Sequence, residues 1–219
     1  MPSRHNPARM QRRQFVGRVT SGLLAGSVID ASSSTAQPSL SSPGSPVRTP
    51  LNLMAPRADG LEAIWGVTRL CTGRVEWESA DGRRGTAAGG PHGFVPQGEH
   101  VLRVRLDGLA PGTTYRVRSV TRAAADGAEV VSEWKSIRTL NPAAASTTFA
   151  VWNDTHVHDE TIRCLHAVTP AADFLVWNGD TCNDWKTSDL LVPTLLHPGQ
   201  CDITQGRPLL LTFGNHDVR

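Results

Sequence analysis

Between residues 51 and 140 apolar and polar positions alternate in short runs broken by turn residues, and runs at 63–68, 74–78, 100–106, 114–121 and 130–139 predict strands. The alternation is plainest at 100–106. Leu102, Val104 and Leu106 fall on one side of the pleat and Arg103, Arg105 and Asp107 on the other, the period of a strand with one buried face. Strands of this length and spacing predict an all-β sandwich over 51–140. After Asn141-Pro142-Ala143-Ala144-Ala145 the pattern changes. Apolar runs at 148–152, 173–177 and 208–213 read as buried strands of a second segment, 146–219. Between them Asp159 is placed to cap a helix carrying Ile162 and Leu165 on one face, and Ser188 or Asp189 to cap another through Leu196. Strand, helix, strand, helix, strand predicts a parallel α/β layer.

Upstream, residues 37–50 are rich in Ser and Pro, lack periodicity and read as a linker. Residues 1–36 run from a basic region through a weakly apolar stretch to Ser34-Thr35-Ala36, the layout of a signal peptide. Arg12-Arg13-Gln14-Phe15-Val16 resembles a bacterial twin-arginine export signal, with Gln11 where Ser or Thr is usual. The expected destination is the periplasm or the exterior.

Composition narrows the classes. The 219 residues, 39% hydrophobic and 19% charged, suit one large or two small globular domains. No run of about 18 apolar residues predicts a membrane span. Residues 1–36 hold five arginines against Asp30; the remainder has 17 basic and 19 acidic residues, a net charge of −2 and no footprint for nucleic acid. Cys71, Cys164, Cys182 and Cys201 lack C-x-x-C spacing, which argues against a zinc knuckle and leaves one disulfide, Cys182 with Cys201, or free thiols.

Candidate chemistry sits where the apolar runs of the second segment end. The first runs into "NDTHVHD" with Asp154 and His156, the second into "NGDTCND" with Asp180, Asn183 and Asp184, the third into "GNHD" with Asn215, His216 and Asp217. Parallel strands deliver their C-terminal ends to one sheet edge, so clusters 26 and 35 residues apart in sequence converge. Carboxylates, imidazoles and an amide there suit divalent ions of borderline hardness, Mn, Fe or Zn. A pair of them about 3.5–4 Å apart needs one shared carboxylate and a jointly held water. Asp180, after a glycine that permits a sharp turn, is the natural bridge.

D-x-H, G-D-x-x-(D/N) and G-N-H-(D/E), in this order, resemble the calcineurin-like metallophosphoesterase family. The resemblance implies that Asp154 and His156 hold a first metal, that Asp180 bridges, that Asn215 holds a second, and that His216 contacts phosphate and assists the leaving group. Asp217 would orient His216 by a hydrogen bond, with Asn183 and Asp184 supporting from behind. Leu109, Pro111, Gly112 and Tyr115 resemble the L-x-P-G-x-x-Y corner of fibronectin type III domains and of the leading domain of purple acid phosphatases. The implied architecture is a fibronectin III-like sandwich followed by the first part of an incomplete four-layer α/β/β/α metallophosphatase domain, acting on phosphate mono- or diesters with two divalent ions. His156 stands where purple acid phosphatases carry Gly, and Asn183 where they carry a tyrosine ligand, which favours Mn, Fe(II) or Zn over a purple centre.

The family's pattern continues with a further His and a G-H-x-H motif, whereas no histidine follows His216 here. The expectation is a C-terminally truncated, inactive piece with an uncovered apolar sheet face. The competing reading is a secreted binding or adhesion module with a vestigial phosphoesterase segment.

Overall fold

A computed structural model of the chain describes residues 44–88, 95–156, 158–183 and 188–218. The expected export signal, the start of the expected linker and Asp184 lie outside these residues. The described chain is mostly β-strand with few helices. In order the strands are β1 (Asn52–Met54), β2 (Leu61–Gly66), β3 (Cys71–Ser79), β4 (Arg84–Ala87), β5 (Gln97–Gly98) and β6 (Val101–Leu106). There follow β7 (Thr114–Ala123), β8 (Glu129–Val131), β9 (Lys135–Arg138), β10 (Phe149–Asn153), β11 (Phe174–Asn178) and β12 (Leu209–Thr212). Helix α1 (Asp159–Val168) joins β10 to β11, and α2 (Ser188–Leu196) joins β11 to β12. One sheet runs β10-β11-β12-β1-β2-β6; the other runs β4-β3-β7-β8, with β5 on β3 and β9 on β7.

The alternation of residues 51–140 is used as a pleat should be. Leu102, Val104 and Leu106 of β6 are buried, as are Leu61, Ala63 and Trp65 on antiparallel β2. They meet Val75, Tyr115, Val117 and Ile137 of the other sheet in one core. Trp65 brings a polar edge into that core and satisfies it by donating its indole N–H to Thr121 Oγ1 at 2.8 Å. Tyr115 packs edge-on to Trp77 with centroids 5.7 Å apart, and its hydroxyl accepts the Ala110 N–H at 2.8 Å. This is the corner geometry expected of Tyr115. Residues at the end of the expected linker bond to β2: Arg48 N–H donates to the Gly66 carbonyl and Thr49 Oγ1 accepts the Gly66 N–H.

Expected buried strands at 148–152, 173–177 and 208–213 form, but each is buried on one face only. Trp152, Leu175, Trp177 and Leu209 pack under Ile162 of α1 and Val192 and Leu196 of α2. The opposite face presents Phe149, Val151 and Leu210, at 57%, 45% and 39% exposure. Phe149 and Phe174 stack on that face at 5.3 Å. Continuous apolar runs normally mark strands covered on both sides, and here the described residues cover one.

Two further expectations are corrected. The N-cap of α1 is His158, without a side-chain capping bond, so Asp159 contributes its charge to the first turn and does not cap. The run 130–139 is split into β8 and β9, which pair with different stretches of β7. Ser132 makes the break, its Oγ accepting the Ser119 N–H. Of the two cysteine alternatives the thiol one holds: Cys182 and Cys201 form no disulfide.

The leading and trailing parts share a sheet. β12 pairs in parallel with β1, aligning Met54 with Leu209, and Ala55 N–H donates to the Leu209 carbonyl at 2.9 Å. Buried Lys135 of β9 extends this joint: its Nζ bonds the Leu51 carbonyl, Asp202 at 2.6 Å and Thr204 Oγ1 at 3.3 Å.

Candidate metal centre

β10, β11 and β12 are parallel and in register, so Asn153, Asn178 and Thr212 end level with one another. Each strand then gives way to one of the three polar loops. Ligand atoms of Asp154, His156 and Asp180 lie within 4.8 Å of one another, although 26 residues separate the last from the first. His156 Nε2 is 2.6 Å from Asp154 Oδ1. The His216 ring stands edge-on to that of His156, centroids 4.9 Å apart.

The loops are held by one another. Asp154 N–H donates to the Gly179 carbonyl at 3.3 Å and His156 N–H to that of Asp180 at 3.0 Å. Buried Thr155, between the two, accepts the Trp177 indole N–H at 3.0 Å. His216 N–H donates to Asp180 Oδ1 at 2.9 Å. Gly179 has φ +69°, and a Cβ there would lie 2.7 Å from the Gly214 nitrogen. A Cβ on Gly214 would lie 2.3 Å from Asp180 Oδ1. Glycine in two of the motifs is thus required by backbone packed against backbone.

Asp154, His156 and Asp180 all have positive φ, at 55°, 47° and 48°. Each such residue costs of order 1 kcal/mol, and strain of this kind collects at functional sites. Two carboxylates and an imidazole form a hard-to-borderline donor set. His156 Nδ1 is buried without a hydrogen-bond partner, while its Nε2 faces Asp154. These residues fit a divalent ion. Asn215 is exposed, and its side chain bonds nothing among the described residues.

Asp217 does not bond His216 as expected. Its buried carboxylate accepts Thr181 N–H at 3.0 Å, Thr181 O–H at 2.7 Å and Cys182 N–H at 3.3 Å through Oδ1, and Gly214 N–H at 2.9 Å through Oδ2. Burial alone would raise this carboxyl; the donors from Gly214, Thr181 and Cys182 outweigh it and hold the group below the usual carboxylate range. His216 Nδ1 instead lies 2.9 Å from the main-chain carbonyl of Asn183. A carbonyl only accepts, so Nδ1 carries the hydrogen and Nε2 is the nitrogen left for chemistry.

Sequence reasoning passed over Thr155 and a row at the strand ends. Asn178 Nδ2 donates to Asn153 Oδ1 at 2.9 Å and Thr212 O–H to Asn178 Oδ1 at 3.0 Å. The available signal was a polar residue near the end of each strand, one step before the first two motifs and two steps before the third.

Neither any protein-family profile nor any curated protein matches the sequence. Among solved structures the chain is similar to a purple acid phosphatase from seeds of yellow lupin, Lupinus luteus, with TM-score 0.57 and 16% identity over 76% of this chain and 35% of that one. It is likewise similar to PhoD, with TM-score 0.55 and 14% identity over 78% of this chain and 39% of PhoD. At such identities the likeness is one of fold. The chain spans little more than a third of the length of either structure.

Proposed function

We propose that the protein is a metal-dependent phosphoesterase, built as a fibronectin III-like sandwich leading into the first part of a metallophosphoesterase domain. One observation carries the reading: Asp154, His156 and Asp180, from two loops at one sheet edge, offer ligand atoms within 4.8 Å of one another. The likeness in fold to a purple acid phosphatase supports it. Asp154 and His156 would hold one ion, Asp180 would bridge, and Asn215 would hold the other. Mn, Fe(II) or Zn bound there would supply a nucleophile at neutral pH and neutralise phosphoryl charge.

The chain's own residues do the rest. His216, with Nδ1 committed to the Asn183 carbonyl, uses Nε2 to hold or release a proton at the departing oxygen. Exposed Asn215 reaches toward solvent, where an ester would enter. On this reading the Arg12-Arg13 segment, similar to a twin-arginine export signal, would direct the protein to the periplasm or the exterior.

Titration of Mn into the protein, followed by loss of the free-ion resonance signal, tests the site. Binding should weaken at least tenfold in Asp180→Asn and in Asp154→Ala. Absence of Mn binding at millimolar concentration, or binding indifferent to both carboxylate substitutions, would refute the proposal.

A further inference from the structure

We propose that Asp217 is a positioning residue, a clamp that sets the separation of Asp180 and His216, while the tautomer of His216 is set by the Asn183 carbonyl. The clamp rests on the metal-site reading above and gives it a mechanism of assembly. The Asp217 carboxylate faces two loops at once. Oδ1 takes the N–H groups of Thr181 and Cys182 and the Thr181 hydroxyl from the loop after β11. Oδ2 takes the Gly214 N–H from the loop after β12. Hydrogen bonds to a charged acceptor are the strong ones, and four from N–H and O–H donors converge on one buried group, with the Cys182 thiol a fifth donor at 3.6 Å.

Their placement is what matters. Thr181 and Cys182 directly follow Asp180, and Gly214 is two residues before His216. Drawing these segments onto one carboxylate closes the loops until Gly179 and Gly214 touch, where neither tolerates a Cβ. In that closed state the His216 N–H reaches Asp180 Oδ1 at 2.9 Å. One oxygen of Asp180 is thereby occupied by the backbone, and its direction is fixed before any ion arrives. Preorganisation of this kind lowers the cost of binding. Asp217 performs it while no bond from its carboxylate to the His216 ring forms among the described residues.

The test uses Asp217→Asn and Asp217→Ala in the full chain, with cooperative unfolding of each checked by urea. Asparagine keeps an oxygen for Thr181 and Cys182 but turns an amide N–H2 toward the Gly214 N–H. Amide exchange at Gly214 should rise about 10–100-fold in Asp217→Asn, the loss of one bond to a charged acceptor, with Thr181 and Cys182 protected. In Asp217→Ala all these amides should exchange faster. Mn affinity should fall about 10–100-fold, less for asparagine than for alanine. Nitrogen chemical shifts of the His216 ring should report hydrogen on Nδ1 in wild type and in Asp217→Asn alike. Unchanged exchange at Gly214 overturns the clamp, as does unchanged Mn affinity despite faster exchange, or a switched tautomer in Asp217→Asn. If the wild type binds no Mn, the metal reading falls, and exchange at Gly214 alone decides the clamp.

Discussion

Lys135→Met removes an ammonium that ties β9 to the segment following α2 while keeping most of the aliphatic stem. Lys135 is 7% exposed, and its Nζ bonds Asp202 Oδ1 at 2.6 Å, Thr204 Oγ1 at 3.3 Å and the Leu51 carbonyl. Burial pushes its pKa down, and Asp202 opposes the push. Without the lysine, Asp202 keeps only the Thr204 hydroxyl at 3.2 Å, its side chain 16% exposed. Breaking one partner of a buried pair costs about 3–5 kcal/mol, and the partial access of Asp202 to water puts this case near the lower end, about 3 kcal/mol. For a chain of this size that lowers Tm by about 6–12 °C. Urea unfolding followed by tryptophan fluorescence would read the change directly. Adding Asp202→Asn to Lys135→Met removes the stranded charge and should restore a large part of the loss, a coupling of about 1–3 kcal/mol in a double-mutant cycle. A cost below about 1 kcal/mol for Lys135→Met, or additivity of the two substitutions, would refute the view that this pair is desolvated and joins the two parts.

Burial lowers the pKa of both His166 and His197, so below about pH 6.5 the unfolded chain takes up protons that the fold refuses. Urea midpoints should therefore fall from pH 7.5 to 5.5, and less steeply in His166→Leu. Gly214→Ala places a methyl 2.3 Å from Asp180 Oδ1 and 2.5 Å from the Asp180 nitrogen; relief of that overlap should cost about 1–3 kcal/mol and weaken Mn binding at least tenfold by calorimetry. Phe149→Lys on the exposed face of edge strand β10 should reduce self-association in light scattering while changing stability by less than about 0.5 kcal/mol.

Legibility followed locality. β6 was readable because one side of a six-residue strand meets the core and the other meets water, and Tyr115 because its hydroxyl partner lies five residues upstream. The three polar loops were readable because each interrupts an apolar run. β1 left no trace: three residues hold no period, and its Asn52 is buried by donating to the Leu196 carbonyl 144 residues away. The partners of Asp217 on the loop after β11 were invisible for the same reason. Adjacent side chains in a turn diverge, so its neighbour His216 was a poor guess, and its Thr181 and Cys182 donors lie 36 and 35 positions upstream. One-sided burial of β10–β12 depends on which surfaces surround a run, which the run itself does not encode.

The parallel pairing of β1 with β12 has a consequence for synthesis on the ribosome. The first of the described strands to emerge finds a neighbour in β2 within a few residues, yet its other edge waits for the last strand described. Until Leu209 leaves the exit tunnel, the rim of β1 offers unpaired amides and carbonyls to any passing polypeptide. Closure of that long loop should be the slow event in maturation, and a chaperone that shields nascent β-edges would be needed most until Leu209 has emerged.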